Sequence, residues 1–174
     1  MSDIQLIWGH DLRPYVSGET EPWSVSVLQA LVRLRRPQNL LELGTYTGST
    51  TRALASVMPS TSRLWTVDHE KRHEGFEDPH IIFVQKDAEE FLRGALVPFH
   101  FVFVDDDHGK EHVARELDLL LEGSLMAEGG IIVGHDVIGV FDLAPLFEAR
   151  GGFVGELPLL HAGGSLGVIE VPRR

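Results

Sequence analysis

Four consecutive residues, Asp105-Asp106-Asp107-His108, put three acids and an imidazole at one point of the chain. Like charges this close repel unless water or a cation screens them. A second polar pair, His135-Asp136, follows an apolar run of the same kind. If the two runs are neighbouring strands, Asp136 arrives beside Asp105. Two carboxylates, His135 and a substrate's paired oxygens would then hold a hard divalent cation, magnesium or another. Such an ion lowers the pKa of a hydroxyl and orients its oxygen. His108 is the candidate base for the released proton, imidazole being the side chain suited to proton transfer at neutral pH. A structural alternative stands beside this one: Asp107 caps the helix that follows and its neighbours are solvated. His135 also weakens a magnesium site, because imidazole favours softer metals.

A second group of residues could hold a ligand. Glu42-Leu43-Gly44-Thr45-Tyr46-Thr47-Gly48-Ser49 joins an apolar run to a helical one. Gly44 permits a tight turn and a close backbone approach, and Gly48 lets a helix start lie against a sheet. Tyr46 stands where a dinucleotide fingerprint has its middle glycine and would crowd a pyrophosphate. Glu42 would repel a diphosphate and suit a cationic group; its alternative role is a satisfied buried acid. Asp68-His69 ends the next apolar run, and a carboxylate there can take both hydroxyls of a ribose. Asp87-Ala88 follows the third run, where Asp87 could accept an adenine amino group. Asp87 also reads as a helix N-cap, with Glu90 completing a capping box.

The elements that must carry these groups follow from the apolar pattern. Thr20-Glu21-Pro22 reads as a helix start, with Thr20 as the capping side chain and proline in the first turn. Trp23, Val27, Leu28, Leu31 and Leu34 follow at helical spacing, and Pro37 stops them. Strands are expected at 40–43, 63–67, 81–84, 101–104 and 131–133, the last opened by Gly129-Gly130. Helices are expected at 49–57, 87–96, 110–125 and 141–149, and two β-like runs at 153–171. Several strands are continuous apolar runs, as strands covered on both faces require. Strands alternating with helices give a doubly wound α/β sheet, whose ligands bind at the carboxyl ends of the strands. The polar groups above all fall at those ends.

Composition sets the outer bounds. The 174 residues fit one domain, 1–174, with 1–20 as an N-terminal arm. The formal net charge is −11, which disfavours nucleic acid and anionic membranes as partners. With no cysteine, disulfides, thiolate metal sites and cysteine nucleophiles are excluded. Met1-Ser2-Asp3-Ile4 lacks the start of a secretory signal, and no apolar run approaches a membrane span, so a cytoplasmic protein is expected. His10, His73, His80, His100, His112 and His161 have no ligand spacing and read as surface residues.

The segment Leu40 to Ser49 closely resembles motif I of the class I S-adenosylmethionine-dependent methyltransferases. Its Gly44-Thr45-Tyr46-Thr47-Gly48 core is similar to the catechol and caffeoyl-CoA type O-methyltransferases and their bacterial relatives. The similarity continues in order through Val67-Asp68, Lys86-Asp87-Ala88, Phe101 to Asp105 and Gly129 to Val133. The resemblance implies a Rossmann-like seven-stranded sheet, mostly parallel with an antiparallel last strand, closed by a hairpin over 157–171 that turns at Gly163-Gly164. It implies methyl transfer to a small-molecule hydroxyl. Glu42, Gly44, Thr45, Tyr46, Gly48 and Ser49 would surround the methionine and ribose end of the cofactor, Asp68-His69 the ribose, and Asp87-Ala88 the adenine. Asp105 would border the cofactor and, with His135 and Asp136, hold the metal of the metal-dependent members. His108 stands where the family's base, usually lysine, is found.

The acceptor pocket is the least specified part. Trp8, His10 and Tyr15 on the arm, with 137–141, are the candidates to build it, and Gly18-Glu19 to touch the cofactor. A second copy of the chain is the candidate to complete it. Two other classes stay open: a methyltransferase-like binding module without activity, and a nucleotide-binding oxidoreductase, against which Tyr46 and Glu42 count. Catechol, sugar and polyketide hydroxyls are all compatible acceptors.

Overall fold

The continuous apolar runs become the central strands of a single sheet in the computed structural model, which describes residues 19–138, 142–156 and 165–173. The elements in chain order are α1 (Pro22–Arg35), β1 (Asn39–Leu43), α2 (Ser49–Ala55), β2 (Arg63–Asp68), β3 (Ile81–Gln85), α3 (Ala88–Gly94), β4 (Phe99–Val104), α4 (Lys110–Glu122), β5 (Met126–His135), α5 (Ala144–Glu148), β6 (Phe153–Glu156) and β7 (Ser165–Glu170). The seven strands lie in the order β3-β2-β1-β4-β5-β7-β6. Strands β1 to β5 pair in parallel, and β7 runs antiparallel to both β5 and β6. The sheet is therefore the doubly wound, mostly parallel one expected, with the antiparallel strand inserted between β5 and β6.

Alternate strand residues feed two apolar layers, as the period of two requires. Leu40, Leu64, Phe101 and Phe103 pack against Leu28 and Val32 of α1 and Leu54 of α2. Leu41, Leu43, Val102 and Ile132 face the other way, onto Leu92 of α3, Leu117 and Leu120 of α4 and Phe147 of α5. Both faces are covered, so the carboxyl edge of the sheet is the place left for a ligand. Among the described residues no helix is long and apolar enough to cross a membrane.

Several expectations need correction. Thr20 does not cap α1: Glu21 is the N-cap residue and makes no side-chain cap bond, while the Thr20 hydroxyl donates to Asp105 Oδ2 at 2.7 Å. A tertiary acceptor has outcompeted the local one. Gly129-Gly130 does not open β5; the strand begins at Met126 and runs through both glycines. Gly129 has φ +70°, and the β4–β5 register shifts between Phe99 and Phe101, so the glycines absorb an irregularity inside the strand. Asp107 is not the cap of α4. Gly109 holds that position, and Asp107 Oδ1 accepts the Gly109 N–H at 2.8 Å. The hairpin partner of β7 begins at Phe153, not at Leu157. His73 and His112 are not surface residues: His73 is buried beside Phe76 and Phe83, and His112 joins a group of carboxylates. The expectations for Trp8, His10, Tyr15, Gly18, 139–141, His161 and the turn at Gly163-Gly164 lie outside the described residues.

Candidate functional site

The β1–α2 loop is shaped by the end of β4. Gly44 has φ +95°, and a Cβ there would stand 2.2 Å from the Asp105 carbonyl oxygen, so no other residue fits this crossing of backbones. The next turn is tight: Tyr46 adopts φ +45°, and the Gly48 N–H donates to the Thr45 carbonyl at 2.7 Å. The left-handed Tyr46 aims its N–H at Asp68 Oδ2, 2.8 Å away at the end of β2. Asp68 Oδ1 accepts the Glu70 N–H at 2.9 Å. Two backbone donors thus fix the Asp68 carboxylate while each oxygen keeps a lone pair for a ligand. Asp87 caps α3, accepting the Glu90 N–H at 3.1 Å, as one of its two expected roles requires.

Behind this loop lies a buried acid. Glu42 is 0% exposed, and its Oε2 accepts the hydroxyls of Thr51 at 2.5 Å and Thr66 at 2.6 Å. Its Oε1 is buried and receives no hydrogen bond. Burial pushes the carboxyl up to about 8, the two threonines pull it down, and the Asp105 and Asp68 charges add to the rise. The threonines that hold it come from α2 and β2, and their distance from Glu42 in sequence hides them from any local pattern.

Strands β4 and β5 bring the second group together. Val104 pairs with Gly134, which sets His135, rather than Asp136, across from Asp105. His135 Nδ1 lies 2.9 Å from Asp105 Oδ1 and Nε2 lies 2.7 Å from Glu21 Oε2. Burial works against charging this imidazole, but hydrogen bonds to Asp105 and Glu21 outweigh it and push its pKa up to about 10. Asp136 Oδ2 stands 3.7 Å from His135 Nδ1, and burial raises its pKa. His108 Nε2 is 3.7 Å from Asp105 Oδ1. Donor atoms of Asp105, His108 and His135 lie within 4.8 Å of one another, as do those of Glu21, His135 and Asp136. In the sequence Glu21 shows only as part of a helix start. Its role depends on the start of α1 meeting the end of β5, which no local pattern reports.

These groups share one cleft of about 850 Å³ at the carboxyl edge of the sheet, within the size range of small-molecule sites. Gly44, Tyr46, Asp68, His69, Asp87 and Ala88 line one part. Asp105, His108, His135 and Asp136 line another. Glu42, Thr45, Gly48 and Ser49 are not in its wall; they stand behind it and support the loop. Asp106 and Lys86 line it as well, and so do residues not expected there, among them Glu21, Arg72 and His112. Glu19, a candidate to touch the cofactor, also lines it and accepts a hydrogen bond from the Thr47 hydroxyl. The Arg72 guanidinium lies 5.2 Å from the centre of the Tyr46 ring, a cation–π contact at the rim.

The profile of a family described as a methyltransferase domain matches residues 41–137, which contain every cleft residue named above except Glu19 and Glu21. A mouse protein named transmembrane O-methyltransferase homolog is 27% identical over 139 residues, 72% of this chain and 53% of that protein. Zebrafish catechol O-methyltransferase B is 26% identical over 127 residues, 64% of this chain and 47% of its own length. The chain thus spans about half the length of these relatives. A solved O-methyltransferase from Bacillus cereus, in complex with SAH, superposes with a TM-score of 0.73 at 19% identity. The match covers 90% of this chain and 84% of that one. At that identity the likeness is one of fold.

Proposed function

This chain belongs to the methyltransferase-domain family, and we propose that it transfers a methyl group from S-adenosylmethionine to a hydroxyl of a small-molecule acceptor, in the cytoplasm. The observation that carries the reading is the single cleft in which the fixed Asp68 carboxylate and the Asp105–His108–His135 group face one space. The cleft fits the cofactor on its own features. Its volume suits a ligand of that size, Gly44 gives the close backbone approach, and Glu42 keeps an orphaned oxygen behind the loop. When bound, the cofactor supplies an electrophilic methyl group.

Asp68 is suited to the ribose hydroxyls, since backbone donors already orient it. Asp87 and Ala88 border the adenine side. Asp105 and His108 border the acceptor side, where His108 would take the hydroxyl proton as the oxygen attacks. A divalent cation held by Asp105, His135 and Asp136 is part of the proposal, with His108 and Glu21 within reach. A mixed imidazole and carboxylate set of this kind suits a d-block ion better than magnesium. Bound there, it would lower the hydroxyl pKa. A second copy of the chain remains the proposed means of closing the acceptor side.

The test is calorimetric titration of the protein with S-adenosylhomocysteine, followed by an acceptor screen. Saturable binding that weakens about tenfold or more in Asp68→Ala is expected, because a hydrogen bond to a charged group contributes about 1.5–3 kcal/mol. Absence of binding would sink the cofactor reading. Binding without turnover across catechol, sugar and polyketide hydroxyls would favour an inactive binding module.

A further inference from the structure

A second set of ligating side chains closes between the end of β4 and the first turns of α4. We propose that Asp106, His112 and Glu116 form a site for a divalent d-block cation, zinc in the first instance, separate from the Asp105–His135–Asp136 group. His112 and Glu116 are four residues apart on α4 and share a face, the spacing by which helices present paired ligands. His112 Nε2 lies 3.1 Å from Asp106 Oδ2 and 3.2 Å from Glu116 Oε1. One donor atom from each of the three lies within 4.8 Å of the others.

Two further observations point to a cation. The Glu116 side chain is 0% exposed, yet neither of its oxygens receives a hydrogen bond, and Asp106 Oδ1 is buried without one as well. Burying carboxylates with so few donors is costly unless a positive charge joins them. A single Nε2 proton can serve only one of the two carboxylates it faces, whereas an ion among the three can bind both and the ring. On the far side of the ring, Nδ1 faces Glu89 Oε1 at 3.7 Å. Glu89 is itself gripped by Arg115 at 2.6 Å and Arg93 at 3.2 Å. At 3.7 Å the Glu89 approach is an ion-pair contact and not a hydrogen bond, but it places a carboxylate on the side of the outer nitrogen, where such groups orient a ligating imidazole.

One nitrogen and two carboxylates make a donor set for zinc and its neighbours rather than for calcium. Asp106 and His112 line the large cleft, which gives the ion a way in, and Glu116 lies fully buried behind them. A bound ion would pin the 105–109 loop to α4 and stiffen one wall of the cleft. The site draws on residues of this chain alone and does not depend on the methyl-transfer reading.

The experiment is equilibrium dialysis of the chelator-stripped full chain against zinc chloride, with elemental analysis of the retained metal. One zinc equivalent should be lost in His112→Ala and Glu116→Gln and kept in Asp136→Asn. Glu89→Gln should weaken that equivalent by about 10- to 100-fold, as loss of a supporting carboxylate does. Far-UV circular dichroism checks each variant, and Asp106→Asn, at the lip of the site, replaces Glu116→Gln if that variant does not fold. Unchanged uptake in the His112 and Glu116 variants means an adventitious ion only and overturns the proposal. A wild type that retains a single equivalent, lost as fully in Asp136→Asn as in His112→Ala, assigns the ion to the other group and also overturns it. No uptake by the wild type leaves His112 as a simple counter-ion of Glu116 and overturns it as well.

Discussion

Replacing Glu42 by glutamine should remove one of the largest pH-dependent contributions to the stability of this fold. Glutamine is nearly isosteric: its carbonyl can still accept the Thr51 and Thr66 hydroxyls, and its amide would stand where Oε1 has no donor. The carboxyl it replaces titrates near 4.5 when unfolded and, chiefly through burial, near 8 when folded. Below the lower value both states are protonated, and the stabilisation is fully present. As the pH rises, the unfolded chain releases its proton first, so stability falls by about 1.4 kcal/mol per pH unit until the folded state also ionises. The ceiling on that loss is about 5 kcal/mol, a large share of the ~5–15 kcal/mol typical of a whole domain. Urea unfolding of the wild type and Glu42→Gln, without ligand, isolates this group because other titrations cancel in the difference. From about pH 5.5 to about pH 8 the difference should move by about 3 kcal/mol against the wild type. A difference that stays constant across that window would refute the assignment of Glu42 as a buried, protonated acid.

Three further outcomes follow from the same geometry. Gly44→Ala places a methyl 2.2 Å from the Asp105 carbonyl on a backbone with φ +95°, and should cost upward of ~2 kcal/mol in chemical denaturation while abolishing S-adenosylhomocysteine binding. His108→Gln should lower kcat by about 10²- to 10⁴-fold with cofactor affinity retained, measured by methyl transfer to an accepted hydroxyl and by calorimetry; unchanged turnover would remove His108 as the base. Thr20→Val deletes both the donor to Asp105 and the acceptor of the Thr50 hydroxyl at 2.9 Å, and should cost about 1–3 kcal/mol in thermal or urea unfolding, a partner being left unsatisfied.

The parts of this fold that are legible in the sequence are those governed by short periods. Runs such as Phe101 to Val104 and Ile131 to Val133 announce strands covered on both faces, and residues just past such runs land at one edge. That argument alone locates Asp68, Asp87, Asp105 and His135. Glycines are less legible, because a glycine marks a special backbone without saying which. Gly44 does serve the close approach expected of it, while Gly129 and Gly130 lie inside a strand rather than before one.

What stays hidden is pairing between distant side chains. Glu21 and His135 are separated by 114 positions and meet only because the fold brings the start of α1 to the end of β5. Thr20 takes Asp105 over its own helix for the same reason. His112 has no conventional ligand spacing toward Asp106; the four-residue step to Glu116 becomes informative only once α4 is known to turn that face to the end of β4. Acids collected at one sheet edge can be seen in the sequence, but the cations that make them tolerable arrive from other elements. A motif therefore locates this cleft, and the distribution of charge within it becomes visible only with the tertiary structure. That distribution assigns His135 to the acids of the acceptor side and His112 to a separate group one residue further along the chain from the end of β4.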